Sequence, residues 1–405
     1  MKYKFLAIFL LISALLSANS IFSYHGMANQ NFGNDQYSAS MSNAGENDLF
    51  RINTSYSNPS ILASSNKVIF STAASFGKQN YYDNLSNEFH DDGFNLPYFS
   101  AAFPILNHRF GLKYSLVSSG NLDTYGSSSL ISVDGEEFNF EEKNSIISNV
   151  YQIDLAYALK NRFVNIGISG NYYLGHRIQY WKFDFEDATL LDTEYEKEEL
   201  FKNPGFTLGL SKRWKSISCG TSYSSKVKLK GDVKLSYIFS DDTEIVEEAA
   251  YLLEVPAKIS AGLSWKFAET FKLHSNLYYQ MWADTDSYEK NTATVAVGLS
   301  YDPLSGYGKW YESIPLRGGF SYRELPFEIN NEPITELQGS FGFSIPLKSL
   351  NKRIDLGVSY LTRGDKDLHE LSEDSLMFSI GVTGFDIFAK KPKKIAPRDI
   401  PIAEF

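Results

Sequence analysis

Long stretches in which every second residue is apolar are the feature that most restricts how this chain can fold. In residues 255–267 the apolar side chains alternate with proline, lysine, serine and glycine. Successive side chains of a β-strand point to opposite faces, so one face of this stretch is apolar throughout. Strands of soluble sheets usually have about five or six residues, whereas about ten alternating residues cross a bilayer as a tilted strand. The stretch therefore predicts a membrane-spanning strand.

Comparable stretches recur along the chain and are separated by gaps that alternate in length. Their approximate spans are 67–78, 96–106, 110–117, 146–159, 163–177, 205–214, 217–227, 253–267, 270–283, 292–303, 314–324, 336–347, 353–362 and 375–388. Tight gaps such as 160–162 alternate with long ones such as 178–204. Short turns on one rim, long loops on the other and an even number of strands are typical of bacterial outer-membrane barrels. The sequence thus predicts an all-β fold, a transmembrane antiparallel β-barrel of about 14 strands with both termini in the periplasm.

Composition excludes several other classes of protein. Hydrophobic residues make up 43% of the chain, too little for a helical membrane protein, whereas aromatic residues make up 15%, which fits the interfacial girdles of a barrel. The net charge of −10 argues against nucleic-acid binding. A single cysteine allows neither a disulfide framework nor a thiolate metal site. The sequence contains no metal-ligand spacing and no nucleophile elbow. We therefore expect no enzyme activity, no metal and no cofactor.

The chain divides into four predicted segments. These are a signal peptide (1–20), an N-terminal hatch or plug in the lumen (21–66), the barrel (67–388) and a basic periplasmic tail (389–405). The first segment has a positively charged start, an apolar run and then small residues, which predicts cleavage after Ser20 or after Ala18. The alternative is that this segment is a membrane anchor. The second is rich in Asn, Ser and Gly without a sustained period, so a flexible periplasmic leader is its alternative.

A short pattern of glycine, a hydrophobic residue and serine recurs in the predicted strands. It begins at Gly167, Gly209, Gly262, Gly298, Gly319, Gly342 and Gly357. In each case the hydrophobic residue lies on the apolar face, so the glycine and the serine face the lumen. Small inward residues leave room for a plug, but glycine also lets a tilted barrel curve. Both explanations remain open at this point.

Two groups of side chains are candidates for ligand contact. The first group consists of cations at strand positions whose side chains point into the lumen. Among them, Lys258, Arg317 and Arg323 are the candidate contacts to an anionic headgroup. The alternative is that they pair with acidic residues of the wall such as Asp154 and Asp355. The second group is aromatic and is predicted to lie in the long loops, where it forms either a capture groove for an apolar ligand or ordinary loop and girdle packing. Its members are Trp181, Phe183, Phe185 and Phe239.

Several short segments, in order, resemble the FadL-type outer-membrane transporters of long-chain fatty acids and other hydrophobic compounds. The sequence Asn58-Pro59-Ser60 is similar to the Asn-Pro-Ala motif that ends the hatch of that family, with Ser60 in place of alanine. Residues 99–117 resemble its second and third strands, 255–262 a central strand and 354–360 the penultimate one. The basic tail is a departure, since it leaves Phe388 rather than Phe405 as the C-terminal aromatic residue read by the barrel-assembly machinery.

The resemblance implies passive uptake of a hydrophobic or amphipathic ligand. Ligands of the family are captured at extracellular loops, pass a hatch-gated site in the lumen and leave sideways at a kinked third strand, here near Gly111 and Gly120. The expected partners are the ligand, outer-membrane lipids and lipopolysaccharide, and the expected state is a monomer. A structural or secretion-associated barrel without uptake, and an aqueous porin, are the alternative functions.

Overall fold

The β-strands form a single antiparallel sheet that closes on itself. The computed structural model describes residues 20–22, 29–84, 88–126, 129–133, 136–185, 192–239, 242–285, 290–303, 310–349 and 352–384. Its strands are β1 (Asn29–Gln30), β2 (Ile69–Asp83), β3 (Glu88–Ile105), β4 (His108–Tyr125), β5 (Ser129–Val133), β6 (Glu136–Leu159), β7 (Asn165–Phe185), β8 (Thr193–Arg213), β9 (Ile217–Ser224), β10 (Val227–Phe239), β11 (Asp242–Val255), β12 (Ala257–Lys266), β13 (Phe271–Met281), β14 (Thr292–Tyr301), β15 (Leu316–Ile329), β16 (Glu332–Ser349), β17 (Lys352–Asp365) and β18 (Leu371–Thr383). Pairing of β18 with β2 closes the barrel.

Fourteen strand positions make up the wall, which confirms the predicted fold. Strands β9 and β10 occupy one position, since both pair with β8, and β11 and β12 occupy the next. The predicted strand 253–267 is therefore interrupted, at Pro256. Proline has no N–H to donate to a ladder, which accounts for the break. Of the remaining strands, β5 pairs with β6 outside the wall, and β1 belongs to the N-terminal segment.

The strands extend further on the long-loop rim than predicted. Strand β7 continues to Phe185, β8 begins at Thr193 and β4 runs from His108 to Tyr125 instead of from 110 to 117. Beyond the bilayer a paired strand has water on its outer face and needs no apolar alternation, so the sequence pattern ends before the strand does. The aromatic residues Trp181, Phe183 and Phe185, predicted in a loop, accordingly lie on β7.

Burial across the wall is the reverse of that in a soluble protein. On β12, Leu263 is 43% exposed and faces outward, whereas Ser264 beside it is completely buried. The same holds on other strands, where outward Ile168 and Leu210 are exposed and inward Ser169 is buried. Apolar side chains on the outside and polar ones inside indicate that the outer face meets lipid. Among the described residues, no helix is long and apolar enough to cross a membrane.

Residues 29–65, here called the inner segment, lie against the inward face of the wall. The segment contains β1, a one-turn α-helix (Gln36–Ala39) and a 3₁₀ helix (Pro59–Ser64). Asp35 caps the first helix by accepting a bond from the Ser38 amide, and Asn58 caps the second through the Ser60 amide. Side-chain caps of this kind satisfy amides that a short helix leaves without partners. The inner segment is thereby held in a defined path although little of it is regular structure.

Candidate functional site

The seven glycines of the repeated pattern all contact the inner segment. A Cβ on any of them would lie closer than 3.0 Å to one of its atoms. Three neighbouring pairs stand directly opposite each other in the ladders, namely Gly167 and Gly209, Gly298 and Gly319, and Gly342 and Gly357. We call the seven the glycine belt. This close approach favours the explanation that the glycines make room for the inner segment over the explanation that they curve the wall.

The motif Asn58-Pro59-Ser60 joins the inner segment to β8 and β9. The Asn58 amide donates to Asn47 Oδ1 at 2.8 Å and to the carbonyls of Leu210 and Thr221 at 3.2 Å. Asn58 Oδ1 accepts a bond from the Ser60 hydroxyl at 2.7 Å. Alanine could not make that last bond, so serine at this position adds a contact to the motif.

An ionic network fastens the middle of the inner segment. Asp35 pairs with Arg51 at 2.5 Å within the segment, and Asp48 pairs with Lys272 of the wall at 2.7 Å. Burial by itself raises the pKa of both carboxyls, but Arg51 beside Asp35 and Lys272 beside Asp48 hold each pKa below its usual range. Both carboxyl groups are therefore charged at neutral pH. The Asp48–Lys272 ion pair connects the inner segment directly to the wall.

Tyr37 lies at the centre of this network. The guanidinium carbons of Arg51, Arg317 and Arg353 lie 4.2, 4.4 and 5.2 Å from the centre of its ring. Its hydroxyl donates to Asp302 at 3.0 Å, and burial together with the Asp302 charge raises the pKa of Tyr37 to about 12. Cations over an aromatic face are attracted by the ring quadrupole. Arg317 is thus used in holding the segment, and it also pairs with Asp355 at 3.2 Å.

A polar cavity of about 230 Å³ lies between the inner segment and the wall. Carboxamides and hydroxyls form most of its lining, together with the ion pair of Arg323 and Glu336 at 2.6 Å. Thr294 Oγ1 and Asn95 Oδ1, which line it, make no hydrogen bond within the described part of the chain. Such a lining suits water or a polar molecule better than an apolar one.

A smaller cavity of about 50 Å³, here called the lysine cavity, lies beside an apolar cluster inside the barrel. The cluster consists of Val150, Tyr173, Phe201, Val227, Leu229, Leu253, Val255 and Trp282. The cavity is lined by Lys113, Asp154 and Lys258 among others. Lys113 Nζ donates to the Gly33 carbonyl at 2.8 Å, whereas Lys258 Nζ lies 5.8 Å from the centre of the Phe32 ring. Lys258 has no ion pair within 4.0 Å among the described residues.

The wall is split between β3 and β4 next to the polar cavity. Their ladder runs from Ile105 and His108 only as far as Tyr98 and Ser115, and above that point β4 stays paired with β6 but not with β3. At the split the register of β4 shifts between Leu116 and Ser118. The inner segment covers this edge, since β1 pairs with residues 118 and 119 and the Asn31 amide donates to the Val117 carbonyl at 2.8 Å.

The two predicted kink glycines lie on either side of this irregularity. Gly111 is below the split, is paired on both sides and contacts Leu62 and Tyr56 of the inner segment. Gly120 is above it and is paired with Ser148 of β6. Neither glycine is itself the bulge, which is at Val117. The apolar alternation of the third predicted strand, 110–117, ends at this position, although valine itself is an ordinary strand residue.

The structure separates the three predicted lumen cations. Lys258 lines the lysine cavity, Arg323 lines the polar cavity, and Arg317 lines neither of the two. Residues 30–32 line both cavities and therefore form the partition between them. Trp282 is a lumen residue that the sequence analysis did not name, although it continues the inward row of Tyr278 and Gln280 into a 3₁₀ turn.

The predicted aromatic groove is divided between β7, which carries Trp181, Phe183 and Phe185, and β10, which carries Phe239. Trp181 packs on Tyr195 with ring centres 5.0 Å apart, and Phe140 contacts Phe183 and Phe185 at 5.6 and 5.9 Å. Phe239 is the last residue of β10, and its side chain lies outside the described part. The role of these residues in ligand capture stays a prediction.

No catalytic arrangement is seen around the lumen histidine. His274 is completely buried and bonds to the hydroxyls of Ser264 at 2.8 Å and Ser300 at 2.9 Å. Both hydroxyls face inward, away from the lipid edge. Within the described ranges, no group of three or more potential metal ligands is present.

Comparisons with known proteins agree with this architecture. The chain is similar to the toluene transporter TodX of Pseudomonas putida (TM-score 0.59, 14% identity, 87% of this chain and 98% of that one). It is also similar to a FadL homologue of Pseudomonas aeruginosa (0.58, 14%, 87% and 98%) and to the CymD monoaromatic hydrocarbon channel (0.56, 15%, 88% and 98%). At these identities the similarity shows the fold. No curated protein matches the sequence. A sequence model of the family described as BamG matches residues 1–393.

Proposed function

The chain belongs to the BamG family and has the fold of outer-membrane channels, and from these premises and the chemistry of its lumen we propose that it takes up a hydrophobic or amphipathic molecule, such as a long-chain fatty acid. The observation that carries the proposal is the lysine cavity beside the apolar cluster. A fatty acid needs an apolar surface for its tail and a cation for its carboxylate, and these two stand next to each other here.

The size of the lysine cavity implies that the inner segment moves when ligand binds. A volume of about 50 Å³ is far below the several hundred Å³ of typical ligand pockets. Displacing the partition at residues 30–32 would join it to the polar cavity and open a path towards the split between β3 and β4. Accordingly, residues 21–66 are proposed to act as a hatch, with Asn58 and Pro59 as its anchor. Signal cleavage near residue 20 and a periplasmic tail at 389–405 are part of the same proposal.

Ligand binding is tested with purified protein in mild detergent. Lipids extracted from it are identified by mass spectrometry, and oleate affinity is measured for Lys258→Gln and for the control Lys266→Gln, an inward lysine of the same strand. We expect Lys258→Gln to bind oleate about tenfold more weakly, as for the loss of one charge-assisted hydrogen bond, and we expect Lys266→Gln to bind it as the wild type does. Absence of any enriched lipid, together with normal uptake in a deletion strain, would contradict the proposal.

The hatch is tested by conductance. Deletion of residues 21–60 is expected to raise single-channel conductance in planar bilayers, because it empties the interior that the glycine belt surrounds. Unchanged conductance of the folded deletion variant would show that the segment does not block the lumen.

The family match favours a second candidate function, in which the barrel works with the outer-membrane barrel-assembly machinery and moves no ligand. This candidate predicts that the protein is recovered with that machinery after chemical cross-linking. It also predicts that a deletion strain loses other outer-membrane barrels while oleate uptake is unaffected. Loss of uptake with normal barrel levels would instead favour the channel.

A further inference from the structure

A group of cations converges on a surface pocket at the short-turn rim. The pocket has a volume of about 220 Å³ and its charged lining residues are Lys160, Arg162, Lys212 and Arg213. Among the residues that the structure describes, no aspartate or glutamate lines it. This is unusual in a chain with a net charge of −10, whose opposite rim exposes Glu88. Four cations in one pocket make a site for an anion.

The cations are held in place by neutral oxygen atoms. Lys160 Nζ donates to Asn66 Oδ1 at 3.2 Å, and Arg213 Nη1 donates to the Leu49 carbonyl at 3.2 Å. Lys212 Nζ lies 3.5 Å from the Arg162 carbonyl. Elsewhere in the protein, several cations, among them Lys272 and Arg317, are paired with carboxylates. In the part of the chain that the structure describes, the four pocket cations have no such match. Their charge is therefore available to a bound group.

The pocket lies at the depth of lipid headgroups. Val164 and Trp214 continue the outward-facing rows of Ile166 and Leu210 to the end of the wall. Phe163 is 72% exposed and Trp214 is 52% exposed. Aromatic residues at the end of a membrane-spanning segment mark the interface between hydrocarbon and headgroups. Cations next to them are at the level of lipid phosphates.

We propose that this rim pocket binds the phosphate of an anionic phospholipid headgroup in the adjacent leaflet. Arg162 and Arg213 supply planar donors that suit a phosphate, and the two lysines supply point charges. The pocket also has Leu49, Ala63 and Ser64 in its lining, so the headgroup bridges the wall and the inner segment. A bound lipid would thus stabilise the seated position of the inner segment.

Native mass spectrometry of the full chain in detergent tests the site. The probe is short-chain phosphatidylglycerol, and inorganic phosphate and a neutral diacylglycerol are titrated separately. The test variant is Arg162→Gln with Lys212→Gln. The control is Lys215→Gln with Lys352→Gln, which removes the same charge from exposed positions outside the pocket. Heat-modifiable migration in gels establishes that both variants are folded.

The wild type is expected to retain one phosphatidylglycerol and no diacylglycerol. The test variant should bind it at least about tenfold more weakly, because two interfacial cations are lost, while the control stays within about twofold. Equal weakening in both variants would overturn the pocket in favour of general rim charge. Retention of inorganic phosphate without phosphatidylglycerol, or of neither, would overturn the lipid assignment.

Discussion

At the scale of single residues, Asp48 links the inner segment directly to the wall. One of its oxygens accepts a bond from Lys272 Nζ at 2.7 Å, and the other accepts the Phe50 amide at 2.8 Å. Both oxygens of one buried carboxylate are thus occupied, one by the wall and one by the inner segment itself. Removing one partner of a buried ion pair is costly because it leaves the other charge uncompensated.

Lys272 keeps a second carboxylate, Asp302 at 2.7 Å, so Asp48→Asn is expected to lower the stability of the folded protein by about 1.5–3 kcal/mol, as for one lost charge-assisted hydrogen bond, measured by thermal unfolding in detergent. The control is Asp123→Asn at an exposed position, which should have no effect. The lowered pKa of Asp48 means that its contribution is fully present above the ordinary carboxyl pKa of about 4 and is lost as the pH falls below that value. Protease sensitivity of the inner segment should accordingly rise below about pH 4. If Asp48→Asn unfolds at the same temperature as the wild type at about pH 7, where Asp48 is charged, the ionic attachment is not what holds the segment.

At the scale of elements, two of the three glycines of β7 have opposite surroundings. Gly167 faces inward, and a Cβ there would collide with the backbone of Pro59 and Ser60. Gly170 has nothing within 4 Å of such a Cβ. A side chain at position 167 cannot be accommodated easily, because the atoms it would meet are backbone and cannot move aside as a flexible side chain can. Substitutions at the two positions therefore distinguish two roles of glycine, which are to leave room for the inner segment and to alter the strand itself.

Gly167→Val should displace the inner segment and raise bilayer conductance, with an overpacking cost of about 1–3 kcal/mol. Gly170→Val, the matched control in the same strand, should leave conductance at the wild-type level. Equal conductance in the two folded variants would show that the glycine belt serves curvature instead.

At the scale of the whole molecule, the split between β3 and β4 and the strand that covers it decide whether the two cavities are separate. The Asn31 amide bond to the Val117 carbonyl is one of the contacts that hold this cover, next to the pairing of β1 with residues 118 and 119. Asn31→Pro removes that donor, whereas Asn31→Ala keeps it and is the matched control. We expect the proline variant to exchange its inner-segment amides faster in hydrogen–deuterium exchange and to admit an apolar fluorescent probe. Identical exchange in both variants would show that the cover is held elsewhere.

Much of the fold could be predicted from local chemistry. A strand in lipid must be apolar on one face, so the alternation marks each crossing, and the count of fourteen follows from it. The glycine pattern likewise indicated a lumen of small side chains. Strand ends on the long-loop rim could not be predicted, because a paired strand that lies in water does not need an apolar outer face and so shows no alternation. The rim pocket was missed because its four cations come from two separate segments that meet only in the folded barrel.

The sequence by itself determined the barrel, its inward and outward faces and the position of the Asn58-Pro59-Ser60 motif before the first wall strand, since each depends on neighbours along one strand or turn. Only the tertiary structure decided which of the three lumen cations forms no ion pair within 4.0 Å among the described residues. Arg317 and Arg323 find theirs on β17 and β16, whereas Lys258 faces a cavity. It also decided that β4 leaves β3 beyond Ser115. These outcomes depend on contacts between residues far apart in the chain, and the energy of such contacts is not written in any local pattern.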